Sequence, residues 1–340
     1  MSRMSDLSTT YLGLRLANPL IAGASPLSRS VDHALKLEDA GAAALVMFSL
    51  FEEDIIEQEE NWLRFVDQAA LGHGEADSFL PEPPAYRSTL DRYVEQLSKL
   101  KQRLSIPVIA SLNGVSREGW LHHARKLEEA GADALELNVY YLAGTPAESA
   151  VDVEQRYLDL LATLRAEVNL PIAMKLSPQF SALPHFVRRL EGEGANGVVL
   201  FNRFYQPDID LDTLKLVHEP SLSRPEDVRL ALHWIAILRG RVHCSIAASG
   251  GVHSADEALR MLLVGADAVQ MCSTLLQHGA SRLRETLSAM QQWLEEREYD
   301  SVAQLRGSLS EARISDPGGY ERVHYRETLH SWESAPGVWR

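Results

Sequence analysis

A lysine set in an apolar run is the residue whose type and setting most directly imply chemistry. Lys175 lies in Ile172-Ala173-Met174-Lys175-Leu176-Ser177-Pro178, and burying an ammonium costs several kcal/mol unless it is paired. Three roles are open to it: stabilising negative charge on a bound cofactor or substrate, forming a Schiff base, or pairing with Glu136 inside the fold. Glu136 shares strand parity with Asn138, so both point to one face. Other polar residues close similar runs: Ser25, Ser49, Asn113, Asn138, Asn202, Ser249-Gly250-Gly251 and Ser273-Thr274. Amides read neutral edges such as ring carbonyls and ring N–H groups. This set holds no histidine cluster and no paired carboxylates, which disfavours a metal-dependent hydrolase or a glycosidase.

The elements that must carry these residues are short and largely apolar: Pro19–Ser25, Ala44–Leu50, Ile106–Leu112, Ala134–Tyr140, Ile172–Ser177, Gly197–Asn202, Cys244–Gly250 and Ala268–Thr274. Few positions alternate to polar, which suits strands buried on both faces of a parallel sheet. Helical spacing fills the gaps, as at Val153–Val168, and Ser254 with Glu257 forms a capping-box pattern before Ala255–Val264. Eight strand–helix repeats predict an α/β fold, the (β/α)8 TIM barrel, with its site at the C-terminal ends of the strands. An open doubly wound sheet is the alternative, but Gly23-Ala24-Ser25-Pro26 is not its Gly-rich turn. The expected organisation is a single barrel domain over 1–340, with a lead-in at 1–18, loop insertions at about 51–87 and 203–225, and a C-terminal helix and tail at 299–340. The turns after the seventh and eighth strands, Ser249-Gly250-Gly251 and Ser273-Thr274, sit where such barrels bind phosphate.

Charge and composition narrow the function classes. The chain has 340 residues, 33 Lys plus Arg against 47 Asp plus Glu, and a formal net charge of −14. That balance disfavours nucleic acid and anionic membrane surfaces as partners. No apolar run reaches the ~18 residues of a membrane span, and a cytoplasmic protein is expected. Cys244 and Cys272 are too few for a zinc or iron–sulfur site and read as small buried hydrophobes. Glu52, Glu53, Asp54, Glu57, Glu59 and Glu60 crowd the first insertion as a solvated acidic face, which would disfavour an anionic substrate.

Taken in order, these blocks resemble the dihydroorotate dehydrogenase family of FMN-containing (β/α)8 barrels. The similarity runs through Asn18-Pro19 to Gly23-Ala24-Ser25, Ala110-Ser111-Leu112-Asn113-Gly114, Glu136-Leu137-Asn138-Val139, Met174-Lys175-Leu176-Ser177-Pro178, Leu200-Phe201-Asn202, Ser249-Gly250-Gly251-Val252, and Gly265 to Thr274. The resemblance implies that Ala24 and Ser25 line a flavin and that Asn113, Asn138 and Asn202 hydrogen-bond its ring or the substrate. It also implies that Lys175 stabilises the anionic reduced ring, and that Ser249, Gly250, Gly251, Ser273 and Thr274 hold the FMN phosphate.

Three departures stand out. The family's catalytic base, Cys or Ser, aligns with Tyr141, an ordinary phenol with a pKa of ~10 that suits proton donation better than proton abstraction. The family's strand-two lysine aligns with Phe48. Its substrate-binding Asn-Ser-Met-Gly segment is not visible in 51–87. The expected enzyme is an FMN-dependent oxidoreductase acting on CH–CH groups of a small-molecule substrate, resembling the soluble enzymes that convert dihydroorotate to orotate in pyrimidine biosynthesis. The alternatives are a flavin-dependent reductase of another activated C=C bond, a flavin-free Schiff-base lyase or aldolase acting through Lys175, and a flavin-binding subunit without a substrate of its own. The reading leaves room for a homodimer and for a separate electron-transfer subunit.

Overall fold

The computed structural model describes residues 4–58, 88–114, 117–217 and 221–334. All eight apolar runs form strands. Numbering all strands in chain order, a lead-in hairpin supplies β1 (Thr9–Tyr11) and β2 (Leu14–Leu16). The barrel strands follow as β3 (Leu20–Ala22), β4 (Ala44–Phe51), β5 (Val108–Asn113), β6 (Ala134–Asn138), β7 (Ile172–Leu176) and β8 (Gly197–Leu200). A second hairpin, β9 (Asp208–Asp210) with β10 (Lys215–Val217), lies in the second predicted insertion, and β11 (Ser245–Ser249) and β12 (Ala268–Met271) complete the set. The barrel closes in the order β11-β12-β3-β4-β5-β6-β7-β8, with every neighbouring pair parallel.

Strand parity divides the core into two. Ile21, Ala44, Val46, Ile109, Ala134, Ala173, Val199, Ala247 and Ala268 fill the barrel interior. Most are small, as the narrow interior requires. Tyr11, Leu12 and Leu16 from the β1–β2 hairpin join this cluster. The other cluster lies between strands and helices, where Met47, Leu97, Leu135, Leu161, Met174 and Phe186 are buried. The predicted capping box before Ala255–Val264 forms, whereas the helix expected from Val153 starts three residues earlier, at Ala150. Ser254 accepts from Asp256 N–H while the Glu257 carboxylate accepts from Ser254 N–H, and similar capping boxes open Thr89–Arg103 and Ala150–Arg165. Each such cap contributes on the order of 1 kcal/mol.

Ser281–Glu296 follows the last barrel strand and packs beside Ala255–Val264, with Arg284 donating to the Asp39 carbonyl, and beyond it Val302–Leu305 and Arg322–His330 are helical. The expected tail beyond 334, and 59–87 and 218–220 of the two expected insertions, lie outside the described residues. Among the described residues, no helix is long and apolar enough to cross a membrane.

Part of the acidic run Glu52–Glu60, expected as a solvated face, is buried. The acidic run does not form a uniformly solvated face. Glu53, Asp54 and Glu57 are exposed, but Glu52 is only 6% exposed. Its carboxylate lies directly over Gly114, where an added Cβ would fall 2.4 Å from Glu52 Oε2. Glu59 and Glu60 lie outside the described residues.

Candidate functional site

Parallel register sets the upper layer of the barrel mouth. Asn113 pairs with Asn138, and Asn138 pairs with Lys175, so three predicted site residues stand side by side on β5, β6 and β7. One layer deeper, Ser49 pairs with Ser111 and Ser111 with Glu136. The Ser49 and Ser111 hydroxyls are 2.9 Å apart.

At the centre lies a closed polar network. Lys175 Nζ donates to Glu136 Oε1 at 3.0 Å and to Gln270 Oε1 at 3.4 Å, while Gln270 Nε2 donates to Glu136 Oε2 at 2.5 Å. Lys175 therefore pairs with Glu136 from the strand-parity argument, and Gln270 joins from the far side of the closed sheet. The sequence signal for Gln270 is the same as for Lys175, a polar residue inside the buried run Ala268–Met271. Asn202 joins the same mouth: its side-chain amide donates to the Lys175 carbonyl at 3.4 Å and its backbone N–H to the Leu176 carbonyl at 2.8 Å.

Asn138 carries an open acceptor. Its Oδ1 is buried without a hydrogen-bond partner, and such an atom costs about 1–3 kcal/mol unless something donates to it. A ligand ring N–H would satisfy it. Asn138→Leu is accordingly expected to leave the melting temperature of the ligand-free protein unchanged or raised, while weakening ligand retention about tenfold. Thermal melts with and without ligand check both halves.

The phosphate-type turns lie together at the ends of β11 and β12. Gly250 and Gly251 have φ of +90° and +77°. A Cβ on Gly250 would meet nothing within 4 Å, so the turn leaves open space there. Ser273 and Thr274 start the helix Ser273–His278. Two residues missed by sequence reasoning join them. The Ser223 N–H donates to Ser273 Oγ at 3.0 Å, and Ser223 Oγ lies 3.4 Å from His253 Nε2. Thr274 Oγ1 donates to the His253 carbonyl at 3.5 Å. Ser223 belongs to a long loop without periodicity, so no local pattern marks it. Ala24 is tied to the same side of the mouth, its carbonyl accepting from Cys272 Sγ at 3.4 Å, and Ser25 is buried. Burial pushes the Cys272 thiol up and the Cys244 thiol up to about 12, so neither is a ready thiolate.

Two positions from the sequence comparison stand apart from this network. The Tyr141 hydroxyl lies 2.6 Å from both Glu148 carboxylate oxygens, and the Arg156 guanidinium covers its ring at 4.3 Å while pairing with Glu148 at 2.9 Å. The hydrogen bond to Glu148 raises the Tyr141 pKa, so the phenol stays protonated and cannot act as a base near neutrality. Tyr141, Glu148, Ser177, Gln179 and Phe180 line a cavity of about 560 Å³ beside the mouth. Phe48 packs edge-on against Tyr93 with ring centroids 4.9 Å apart, and the Arg29 guanidinium sits 4.6 Å over its ring. Tyr93 belongs to the surrounding helix Thr89–Arg103, so Phe48 contributes to the strand–helix layer. The register shift in β4 between Val46 and Ser49 places Ser49, rather than Phe48, in the interior layer.

Among the described residues, no group of three or more His, Cys, Asp or Glu side chains could hold a metal ion. The arrangement offers one buried cation, neutral amides around it, an unpaired acceptor and an open glycine turn. That set suits an uncharged heterocycle carrying a phosphate and able to accept negative charge beside Lys175.

Comparison with known proteins agrees with this chemistry. The family model described as dihydroorotate dehydrogenase matches residues 87–294. The catalytic subunit of dihydroorotate dehydrogenase B (NAD(+)) from Thermoplasma acidophilum is 26% identical over 89% of this chain and 99% of its own. Its counterpart from Thermoplasma volcanium is 24% identical over 89% of this chain and 98% of its own. The PreA subunit of NAD-dependent dihydropyrimidine dehydrogenase from Escherichia coli K12 is 21% identical over 89% of this chain and 76% of its own.

Proposed function

The chain belongs to the dihydroorotate dehydrogenase family, and from that premise we propose that it is an FMN-dependent oxidoreductase acting on a CH–CH bond beside a carbonyl, with dihydroorotate the first substrate to test. The observation that carries the reading is the unpaired Asn138 Oδ1 standing in register beside Lys175, an acceptor and a cation on adjacent strands of the barrel mouth. FMN supplies hydride chemistry when bound. Lys175 and the amides of Asn113, Asn138 and Asn202 would face its ring, Ala24 and Ser25 would line it, and Ser249, Gly250, Gly251, Ser273 and Thr274 would hold its phosphate. The open space at Gly250 and the partnerless Asn138 oxygen fit that assignment.

The chain's own residues then divide the work. Lys175 keeps a fixed positive charge at the mouth, and its ammonium, held by Glu136, favours this role over a Schiff base, which needs a free amine. In the direction that reduces a C=C bond, Tyr141 would serve as the proton donor to the substrate carbon, because its carboxylate partner keeps the phenol protonated; the reverse step, loss of a C–H proton from dihydroorotate, would need the Tyr141 phenolate as base and so an alkaline pH. A raised pKa preserves the proton through the neutral range, and activity that needs it falls only at alkaline pH, beyond the range of an ordinary phenol. Tyr141→Phe is expected to slow flavin reoxidation by orotate or an enone about 100-fold, read by stopped-flow absorbance. An unchanged rate removes Tyr141 from the mechanism.

We extend the same reading to a cytoplasmic protein whose 340 residues form one barrel domain. The relatives named as subunits favour a separate electron-transfer partner. The deciding experiment is the visible spectrum of the purified protein, followed by anaerobic addition of dihydroorotate. Flavin bands that bleach support the full reading. Bands that stay oxidised keep the flavin and reject dihydroorotate, and a colourless protein that cannot be loaded with FMN rejects the reading altogether.

A further inference from the structure

Three polar side chains occupy a barrel interior that is otherwise mostly small and apolar. Glu136 on β6 is 1% exposed, Gln270 on β12 is 2% exposed, and the Lys175 side chain on β7 is 11% exposed. Each bonds to the other two, so both Glu136 oxygens are taken and the Gln270 amide is fixed in one orientation, its oxygen towards lysine and its nitrogen towards glutamate. Stability alone does not call for this arrangement, because replacing a buried ion pair by well-packed apolar residues is often neutral or stabilising. The geometry has a direction. Lys175 stands in the upper layer beside Asn138, whereas Glu136 lies two residues down β6, one layer deeper. An ammonium has three N–H groups, and two of those of Lys175 are committed to Glu136 and Gln270, leaving one for the mouth.

Resting on the FMN reading, we infer that Glu136 is a positioning residue: with Gln270 it fixes the Lys175 ammonium and offsets part of its charge, and so sets how strongly Lys175 stabilises the reduced, anionic cofactor. A cation beside a developing anion favours reduction, and a carboxylate behind that cation opposes it. Glu136 therefore holds the bound cofactor at a lower potential than a bare lysine would, which keeps the reduced form a competent donor to the next acceptor.

The experiment uses the FMN-loaded protein and reads two properties that a purely structural pair would leave unmoved: the flavin midpoint potential and the dissociation constant for sulfite, which adds to oxidised flavin as an anion. Glu136→Gln preserves shape and removes the charge. It is expected to tighten sulfite about tenfold and to raise the two-electron potential by about 30 mV, the equivalent of tenfold in a two-electron equilibrium. Glu136→Asp draws the carboxylate back and is expected to shift both properties in the same direction by less, which keeps the test available if the glutamine variant folds poorly. In a Lys175→Met background, with no ammonium left to position, Glu136→Gln should move both properties by clearly less than it does in the parent. An unmoved potential in both single variants, or an undiminished shift without Lys175, overturns the inference while leaving the FMN reading intact. A protein that cannot be loaded with FMN overturns that reading and the inference with it.

Discussion

Lys175→Met is expected to slow substrate-driven flavin reduction about 100- to 1000-fold, the usual cost of removing one preorganised donor from a site of developing negative charge. The same substitution should destabilise the protein by about 3–5 kcal/mol, because it leaves the Glu136 carboxylate buried without its cation. Gln270 remains bonded to Glu136 Oε2, but an amide brings no countercharge. The two effects separate in the double variant. Lys175→Met with Glu136→Gln removes both charges and should recover most of the melting temperature while recovering none of the rate. Thermal melts and anaerobic stopped-flow reduction of the FMN-loaded variants read both. A single variant that reduces within about threefold of the parent rate would remove Lys175 from the chemistry and leave the ion pair as a structural feature.

The barrel was legible because its strands are buried on both faces, and continuous apolar runs closed by Asn, Ser or Gly expose that pattern in one dimension. Boundaries were less exact where a run extends past the ladder: Pro19–Ser25 shortens to Leu20–Ala22, since Ala24 and Ser25 already belong to the turn into the helical segment Pro26–Arg29. The two hairpins were missed. Three-residue strands such as Thr9–Tyr11 are too short for a period, and β9 and β10 are equally short and largely exposed. Within the site, parity could place Glu136, Asn138 and Lys175 on compatible faces of neighbouring strands. It could not bring in Gln270, which is 134 residues from Glu136 and meets it only because the sheet closes. Nor could it find Glu148 beside Tyr141, or Ser223 over Ser273, because loop geometry has no repeat to read. The β4 register shift accounts for Phe48: a simple alternation continued through a bulge assigns every later side chain to the wrong face.

Adjacent glycines in the turn after β11 should fail in different ways when each is replaced by alanine. Both have positive φ, which costs an L-residue roughly 1–2 kcal/mol. At Gly251 the new Cβ would also lie 2.4 Å from the Val228 backbone nitrogen and 3.0 Å from the Arg224 carbonyl oxygen, atoms that cannot swing aside as a flexible side chain can. Gly251→Ala should therefore cost about 2–5 kcal/mol, combining the backbone cost with an overpacking penalty of about 1–3 kcal/mol. Displacing Arg224 would also pull Ser223 away from Ser273, so FMN retention should be lost together with stability. At Gly250 the Cβ meets nothing within 4 Å, leaving the backbone cost alone. The methyl group would then stand in space that the proposed FMN phosphate needs. Gly250→Ala should melt within a few degrees of the parent yet bind FMN about 10- to 100-fold more weakly, with riboflavin, which lacks the phosphate, much less affected. Quenching of flavin fluorescence during titration of the apoprotein measures both affinities. Parent-like FMN binding by Gly250→Ala would reject the phosphate assignment, and parent-like stability of Gly251→Ala would reject the close packing of this turn against Val228.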